Sequence, residues 1–277
     1  MIAASQEAPG HEQSNVQVKR RALGEMSRSR MLICQAGLGA IILLLWQAAS
    51  GRLIDRFFIS DPLSVGRTLL GWIADGSLFG HVWATVYATV VGFAIGTAIG
   101  VVLGVWLGIA PFAARLLNPY LWALNALPKV ALAPLFVLWF GLGIESKVAL
   151  AATLVLFLVF LNTFAGVQQV DQDLVDSARL MRATRSQVIT KVIIPSALSW
   201  VFAGLKISVP YALIGVVLGE MIASNQGLGY LVQFSGSQFD TAGVFAVLIV
   251  ISLLAVALNF VVEVVQARLE GWRVTKR

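Results

Sequence analysis

Residues 171–195 read DQDLVDSARLMRATRSQVITKVIIP and form a charged stretch, here called the polar segment, in an otherwise apolar chain. Its acidic residues come first and its basic residues later, which suits the two ends of a helix because each charge offsets the macrodipole there. Thr184 followed by Gln187 is typical of a capping box, so a second short helix is predicted to start at Thr184. We therefore predict two short helices joined by a turn near Ala183, lying along a membrane surface.

The apolar residues of the polar segment recur at helical spacing. Leu174, Ala178 and Met181 fall on one helical face, and residues 188–193 continue an apolar side. A structured loop of this kind between spanning helices is expected to dock onto a partner.

The composition is that of a polytopic helical membrane protein. Of 277 residues, 58% are hydrophobic and 12% are charged, whereas soluble domains carry roughly 25% charged residues. Several apolar runs reach the roughly 20 residues that a helix needs to cross the hydrocarbon core. The net charge of +6 is attributed to cytoplasmic loops, and no nucleic-acid partner is expected.

The sequence predicts an all-α fold with six transmembrane helices. The predicted spans cover about residues 31–50, 81–109, 119–142, 147–169, 196–222 and 242–266. Pro128 and Pro134 interrupt the third span, and Pro195 suits the first turn of the fifth. An interfacial helix is predicted to start at Asp61-Pro62, and a polar loop to occupy residues 224–241. The six-span domain covers residues 31–272, with polar cytoplasmic tails at 1–30 and 273–277.

The distribution of basic residues predicts the orientation. With the N-terminus inside, fourteen Lys and Arg residues fall on the cytoplasmic side and four on the outer side. This split satisfies the positive-inside rule. The polar segment is therefore predicted to be cytoplasmic.

Small residues at four-residue spacing predict close helix packing. In the second span they are Gly92, Gly96, Gly100, Gly104 and Gly108, and in the fifth they are Gly204, Ser208, Ala212, Gly215 and Gly219. For the glycines, packing within one chain is favoured over a dimer seam.

The ionisable residues Lys129, Lys206 and Glu220 lie within predicted spans, where such groups usually face the bundle interior or a cavity. Lys129 follows Pro128 in a segment where Pro128 and Pro134 free backbone carbonyl groups. Lys129 and Lys206 either line a pathway for an anionic or polar solute or snorkel to the cytoplasmic interface. Glu220 either pairs with a partner or caps the outer loop. The candidate translocation pathway comprises Lys129, Pro128, Pro134, Lys206 and Glu220.

Catalytic motifs are absent from the sequence. It contains no glycine-rich nucleotide-binding loop, its two histidines are isolated, and no Cys/His cluster suits a metal. We therefore expect neither an enzymatic activity nor a cofactor in this chain.

The polar segment resembles the cytoplasmic loop of permease subunits of binding-protein-dependent ATP-binding-cassette (ABC) importers. The signature of that loop is Glu-Ala-Ala, three residues, Gly, nine residues, and Ile-x-Leu-Pro. The spacing is kept here by Asp176-Ser177-Ala178, Arg182 and Val192–Pro195. Since Arg182 stands where the signature has Gly, and Arg tolerates a left-handed backbone poorly, the turn is predicted at Ala183-Thr184 with the Arg182 side chain presented to the partner.

Three further stretches are similar to the nitrate/sulfonate/taurine (bicarbonate) branch of this family. They are Leu127–Gly141, the pair Gly219–Ile222 and Gly227–Leu231, and Asp61-Pro62. The resemblance implies the type I (MetI-like) importer fold and a small solute. Lys129 and Lys206 favour an anionic solute. The branch also includes permeases for pyrimidine-type vitamin precursors.

The same resemblance implies a set of partners in a bacterial inner membrane. They are two cytoplasmic ATPase subunits that bind ATP and Mg²⁺, an extracytoplasmic solute-binding protein, and a second copy of the permease. The residues expected to couple to the ATPase are Asp176, Ser177, Ala178, Arg179, Met181, Arg182, Ala183, Thr184 and Pro195. The alternative from a different class is a self-sufficient secondary transporter or channel, with the polar segment as a regulatory site.

Overall fold

The computed structural model describes residues 28–269, which are helical almost throughout. In chain order the helices are α1 Arg28–Ala49, α2 Arg56–Ile59, α3 Pro62–Ala74, α4 Ser77–Gly108, α5 Pro111–Ala126, α6 Ala133–Phe140, α7 Ile144–Gln168, α8 Gln172–Leu180, α9 Arg185–Val188, α10 Ile194–Ala223, α11 Leu228–Ser237 and α12 Thr241–Leu269. A 3₁₀ turn at Lys129–Leu132 precedes α6, and a π turn at Ile189–Ile193 joins α9 to α10. Most of the predicted tail 1–30, and the whole tail 273–277, lie outside the described residues.

The all-α, six-span prediction is confirmed. Five helical stretches among residues 28–269 are long and apolar enough to cross a membrane, namely α1, α4, α7, the stretch Arg185–Ala223 and α12. The segment from α5 to α6 makes a sixth span if its two bent parts count as one. A helix, α3, is present where the interfacial helix is predicted to start.

The chain divides into two compact units between Leu63 and Ser64. The first unit contains the spanning helix α1 and the short helix α2. The chain folds back after α1, because the indole Nε1 of Trp46 donates a hydrogen bond to the carbonyl oxygen of Ile59 at 3.1 Å. Asp55 caps α2 by accepting a hydrogen bond from the backbone N–H of Phe57 at 2.9 Å.

The third span is broken at Pro128, as the two prolines suggested, but it starts earlier than predicted. It begins at Pro111 rather than near Pro119, which lies inside α5. Leu127 has an extended backbone, because the residue before a proline is driven out of the helical region. The two parts of the span meet at 79°. Pro134 does not break a helix, since it lies in the first turn of α6, where a missing N–H is tolerated.

The α-helix of the fifth span begins at Ile194 with Pro195 in its first turn, as predicted, but the helical stretch extends back beyond this point. The helix is continuous from Arg185 to Ala223, and the backbone N–H of Ile194 donates to the carbonyl oxygen of Ile189, five residues earlier. A proline inside a regular α-helix clashes with the carbonyl group four residues before it. The π turn immediately before Pro195 changes this register and accounts for the uninterrupted helix.

Helix α7 lies at the centre of the second unit, between α4 and α10. A Cβ atom on Gly96 of α4 would lie 2.5 Å from the carbonyl oxygen of Ala152 in α7. On the other flank, a Cβ atom on Gly215 of α10 would lie 2.9 Å from the Cα atom of Ala151. The α4 glycines that face α7 in this way are Gly92, Gly96, Gly100, Gly104 and Gly108. The absence of side chains therefore lets three helix backbones approach closely within a single chain.

The predicted loop at residues 224–241 contains a helix, α11, and is corrected accordingly. Leu228 at its first position is fully buried and packs with Leu78 of α4 and Val247 of α12. Burial of this side chain stabilises a segment whose glycines indicated a loop. Gly227, just before α11, has a φ of +111°, a backbone conformation that glycine adopts without strain.

Candidate functional site

The polar segment folds into two capped helices, as its sequence predicts. Asp171 caps α8 by accepting a hydrogen bond from the backbone N–H of Asp173 at 2.9 Å. The predicted capping box starts α9. The N–H of Gln187 donates to Thr184 Oγ1 at 3.3 Å, and the N–H of Thr184 donates to Gln187 Oε1 at 2.8 Å.

The turn between the two helices is made at Arg182, and the prediction of a turn at Ala183-Thr184 is wrong. Arg182 has a φ of +58°. The N–H of Ala183 donates to the carbonyl oxygen of Ala178 at 3.0 Å, and the N–H of Arg182 donates to that of Arg179 at 2.9 Å. This pair of hydrogen bonds is a Schellman motif, which requires a left-handed residue at the position of Arg182. The left-handed residue of the turn is therefore at position 182, where the family signature has glycine and this chain has arginine.

The inward face of α8 shares only Ala178 with the apolar face that the sequence predicted. Val175 is buried with Val170 and Val188, and Ala178 and Ala183 pack against them. Leu174 and Met181 instead expose 53% and 80% of their surface. The Schellman turn produces this arrangement, because it brings Ala183 back onto Ala178 and so turns that side of α8 inward.

The outward face of the polar segment combines apolar and charged side chains. Leu180 is 86% exposed. Arg179 Nη1 lies 3.2 Å from Asp176 Oδ1, with both side chains mostly exposed. An exposed ion pair of this kind contributes little to stability, so both charges can be recruited by a partner. Ser177 and Thr184 are exposed beside them.

Lys129 lies at the break of the third span. Its ammonium Nζ donates to the carbonyl oxygen of Asn125 at 2.8 Å and to Asn125 Oδ1 at 3.2 Å. The same Nζ lies 4.5 Å from the centroid of the Phe157 ring on α7, within range of a cation–π interaction. The side chain therefore caps the carbonyl group of Asn125 near the end of α5 and stays half-buried.

Lys206 and Glu220, the other two candidate pathway residues, have partners of their own. Lys206 Nζ on α10 lies 3.8 Å from Glu263 Oε1 on α12, and both side chains are partly exposed. Glu220, near the last turn of α10, is only 2% exposed. Lys129, Lys206 and Glu220 thus belong to three separate sets of contacts.

Glu220 is the centre of a buried polar cluster. The hydroxyl group of Thr85 on α4 donates a shared hydrogen bond to the two carboxylate oxygens of Glu220, which lie 2.9 Å and 3.0 Å from Thr85 Oγ1. The N–H of Gly229 donates to Glu220 Oε2 at 2.8 Å, and the N–H of Leu228 donates to Thr85 Oγ1 at 2.8 Å. The carboxylate and the hydroxyl group therefore attach the start of α11 to α4 and α10.

Two more side chains extend this cluster. Lys147 at the start of α7 is buried, donates to the carbonyl oxygens of Leu142 at 2.7 Å and Gly143 at 2.8 Å, and interacts electrostatically with Glu220. His81 Nδ1 accepts a hydrogen bond from the N–H of Gly227 at 3.0 Å, and its ring stacks on Tyr230. In the sequence alone, His81 is one of the two isolated histidines and Lys147 is one of the four outer basic residues. Two features of the sequence could have indicated this cluster. His81 and Thr85 are four residues apart and so share one helical face, and a glycine-rich stretch follows Glu220.

Within residues 28–269, no group of three or more His, Cys, Asp or Glu side chains is arranged to hold a metal ion.

Most of the chain matches proteins that are already known. A family model described as binding-protein-dependent transport system inner membrane component matches residues 96–272. The chain is 32% identical over 237 residues to the putative aliphatic sulfonates transport permease protein SsuC of Bacillus subtilis, covering 85% of this chain and 86% of that protein. It is 30% identical over 260 residues to the taurine transport system permease protein TauC of Escherichia coli, covering 91% and 94%.

A third relative is named for a different solute. The formylaminopyrimidine transport permease protein ThiX of Halalkalibacterium halodurans is 30% identical over 233 residues, covering 84% of this chain and 93% of that protein. Among solved structures, an inward-facing form of the MetNI methionine ABC transporter superposes with a TM-score of 0.62 and 19% identity, covering 69% of this chain and 95% of that chain. At that identity the likeness shows the fold alone.

Proposed function

Because this chain belongs to the binding-protein-dependent transport system inner membrane components and is a permease subunit of an ABC importer, we propose that it forms the translocation path for a small anionic solute of the sulfonate or nitrate kind. The names of two relatives, for aliphatic sulfonates and for taurine, support this class of solute. A pyrimidine-type vitamin precursor is the alternative, since a formylaminopyrimidine permease is similarly related.

We propose that the polar segment is the coupling element for a cytoplasmic ATPase. The observation that carries this proposal is the continuous helix from Arg185 to Ala223. A displacement of α9 by a partner would pass directly into the spanning helix α10, without a flexible joint. Leu174, Leu180 and Met181 supply an exposed apolar surface on the same segment.

The remaining assembly is proposed from the same family relationship. Two ATPase subunits would bind ATP and Mg²⁺, so this chain would need no cofactor and would catalyse no reaction itself. A solute-binding protein would deliver the solute on the opposite side, and a second copy of the chain would complete the pore. With the N-terminus in the cytoplasm, fourteen basic residues fall on the cytoplasmic side and four on the outer side, which supports an inner membrane location in this orientation.

Ligand identification on the associated solute-binding protein, followed by uptake in proteoliposomes, tests this function. We expect ATP-dependent uptake of a sulfonate such as taurine when the permease, ATPase and binding protein are reconstituted together. Uptake of a pyrimidine but of no sulfonate would select the alternative solute. Uptake by the purified chain alone, driven by an ion gradient, would overturn the importer assignment.

Within the proposed pathway, Lys129 is assigned a role at the break of the third span, together with Pro128 and Pro134. Its contact with the Phe157 ring and its hydrogen bonds to Asn125 hold a positive charge at the bend. The partners of Lys206 and Glu220 favour structural roles for those two residues.

Lys129→Ala is expected to lower the rate of solute uptake by roughly tenfold, since the solute would lose about 1.4 kcal/mol of electrostatic stabilisation along its path. Basal ATP hydrolysis of the complex should stay near the wild-type rate. Lys206→Ala is the matched control, because it removes another partly exposed lysine within a span. Equal uptake rates for Lys129→Ala and wild type would exclude Lys129 from the pathway.

Arg182→Gly is expected to stabilise the turn of the polar segment by about 1 kcal/mol, because glycine adopts the left-handed backbone without the strain that arginine carries. Recovery of the ATPase with the Arg182→Gly permease should therefore stay at the wild-type level. Arg182→Glu reverses a charge on the outward face and should lower ATPase recovery roughly fivefold, or about 1 kcal/mol.

Co-purification of the ATPase through an affinity tag on the permease measures both effects. Equal recovery with Arg182→Glu and wild type would show that the Arg182 side chain points to solvent in the complex.

A further inference from the structure

A cavity of about 980 Å³ lies where the ends of α4, α5 and α7 meet the polar segment. Three arginine side chains contribute to its wall, namely Arg115 of α5, Arg179 of α8 and Arg185 of α9. The amide groups of Asn118, Gln168 and Gln172 add polar atoms to the same wall. The cavity has the size of a small-molecule site, and the proposed coupling function leaves it without a role.

The charge of this cavity favours an anion. Its described lining contains three guanidinium groups and no carboxylate. Arg179 is partly neutralised by Asp176 at 3.2 Å, whereas no ion pair within residues 28–269 engages Arg115 or Arg185. A guanidinium group presents a planar fork of N–H donors that matches the oxygens of a phosphate group.

One wall of the cavity borders the apolar surface of a spanning helix. Arg115 and Asn118 lie on one face of α5, and Phe112, Leu116 and Tyr120 lie on the adjacent face at four-residue spacing. These three side chains expose 82%, 59% and 66% of their surface. In a membrane protein, an exposed apolar face of a spanning helix contacts lipid chains, and aromatic side chains mark the level of the headgroups. A molecule with an anionic head and apolar chains would meet both surfaces of α5 at once.

We propose that this cavity binds the headgroup of an anionic phospholipid from the adjacent leaflet. The phosphate diester would lie between Arg115 and Arg185, and the acyl chains would run along Phe112 and Leu116. Basic pockets between spanning helices on the cytoplasmic side suit such headgroups. Because Arg115 belongs to α5 and Arg185 to α9, a bound lipid would join the polar segment to the third span.

The test is native mass spectrometry of the full chain in detergent, with phosphatidylglycerol and phosphatidylcholine of identical acyl chains added in equal amounts. We expect the wild type to retain phosphatidylglycerol preferentially. Arg115→Gln and Arg185→Gln should each lower that preference roughly fivefold, and the double variant should approach equal retention of the two lipids. Arg182→Gln is the matched control, because Arg182 lies between Arg179 and Arg185 in sequence but does not line the cavity. Its lipid preference should equal that of the wild type.

Three outcomes would overturn the proposal. Equal retention of the two lipids by the wild type would show that the cavity does not select anionic lipid. An unchanged preference in the double variant would locate the anionic lipid elsewhere. Displacement of phosphatidylglycerol by millimolar inorganic phosphate would indicate a site for a small free anion. All variants should elute as the wild type does in size exclusion, since the substituted side chains are exposed.

Discussion

Gly96→Val is expected to separate α4 from α7 and to prevent recovery of a folded permease. The first side-chain atom of residue 96 would lie 2.5 Å from the carbonyl oxygen of Ala152 and 2.8 Å from the Cβ atom of Val155. Helix α7 cannot withdraw, because its opposite flank touches α10, where a Cβ atom on Gly215 would lie 2.9 Å from the Cα atom of Ala151. Overpacking of a tight core costs about 1–3 kcal/mol for each misfit. Valine adds two methyl groups to a misfit that its Cβ atom already creates.

Gly80→Val provides the matched control for this prediction. Gly80 lies in the same helix, and no atom lies within 4 Å of the position that its Cβ atom would take. Both variants raise helix propensity by the same small amount, because valine forms helices slightly better than glycine, so the difference between the two variants reports the contact with α7. The measurement is the monodisperse fraction in size exclusion, followed by thermal unfolding in detergent. Similar melting temperatures for the two variants would mean that α4 and α7 are less closely packed than the structure has them.

Glu220→Ala is expected to release the start of α11 and to lower the stability of the permease by about 3 kcal/mol or more. The substitution removes the acceptor for the hydroxyl of Thr85 and for the N–H of Gly229, both of which are buried at this point. Each buried donor left without an acceptor costs about 1–3 kcal/mol. The Lys147 ammonium group would also lose the nearby negative charge.

Glu220→Gln separates the role of the hydrogen bonds from that of the charge. The glutamine side chain keeps one acceptor oxygen for Gly229 and can donate its amide N–H to Thr85 Oγ1, so the loss should be about 1 kcal/mol. Thermal unfolding gives the two losses, and hydrogen exchange of the amides at residues 227–229 shows whether the start of α11 opens. If Glu220→Gln destabilises the protein as much as Glu220→Ala, the charge itself is required and the anchoring role of the hydrogen bonds is excluded.

Features that depend on neighbouring residues were predictable from the sequence. The capping box at Thr184 and Gln187 is a local pattern with one geometry, and the structure has it. The break at Pro128 follows from the covalent structure of proline. The six apolar runs follow from the length that a helix needs to cross a bilayer.

Features that depend on distant contacts were not predictable in the same way. Thr85 and Glu220 are 135 residues apart, and no periodicity relates them. The helix α11 exists because Leu228 is buried by Leu78 and Val247, and the local glycines argue against a helix. The left-handed turn was misplaced because arginine gives no local signal for a positive φ, whereas the hydrogen bonds of the Schellman motif impose one on Arg182.

The π turn at Ile189–Ile193 also determines how the side chains of α9 are rotated about the helix axis relative to α10. An α-helix advances by about 100° and 1.5 Å with each residue, and a π turn contains one residue more than an α turn. The side chains of Arg185–Val188 are therefore rotated by about 100° from the directions that they would take on a regular extension of α10. The one added residue between Val188 and Ile194 thus determines the direction in which the Arg185 side chain points from the helix axis, independently of the composition of α9.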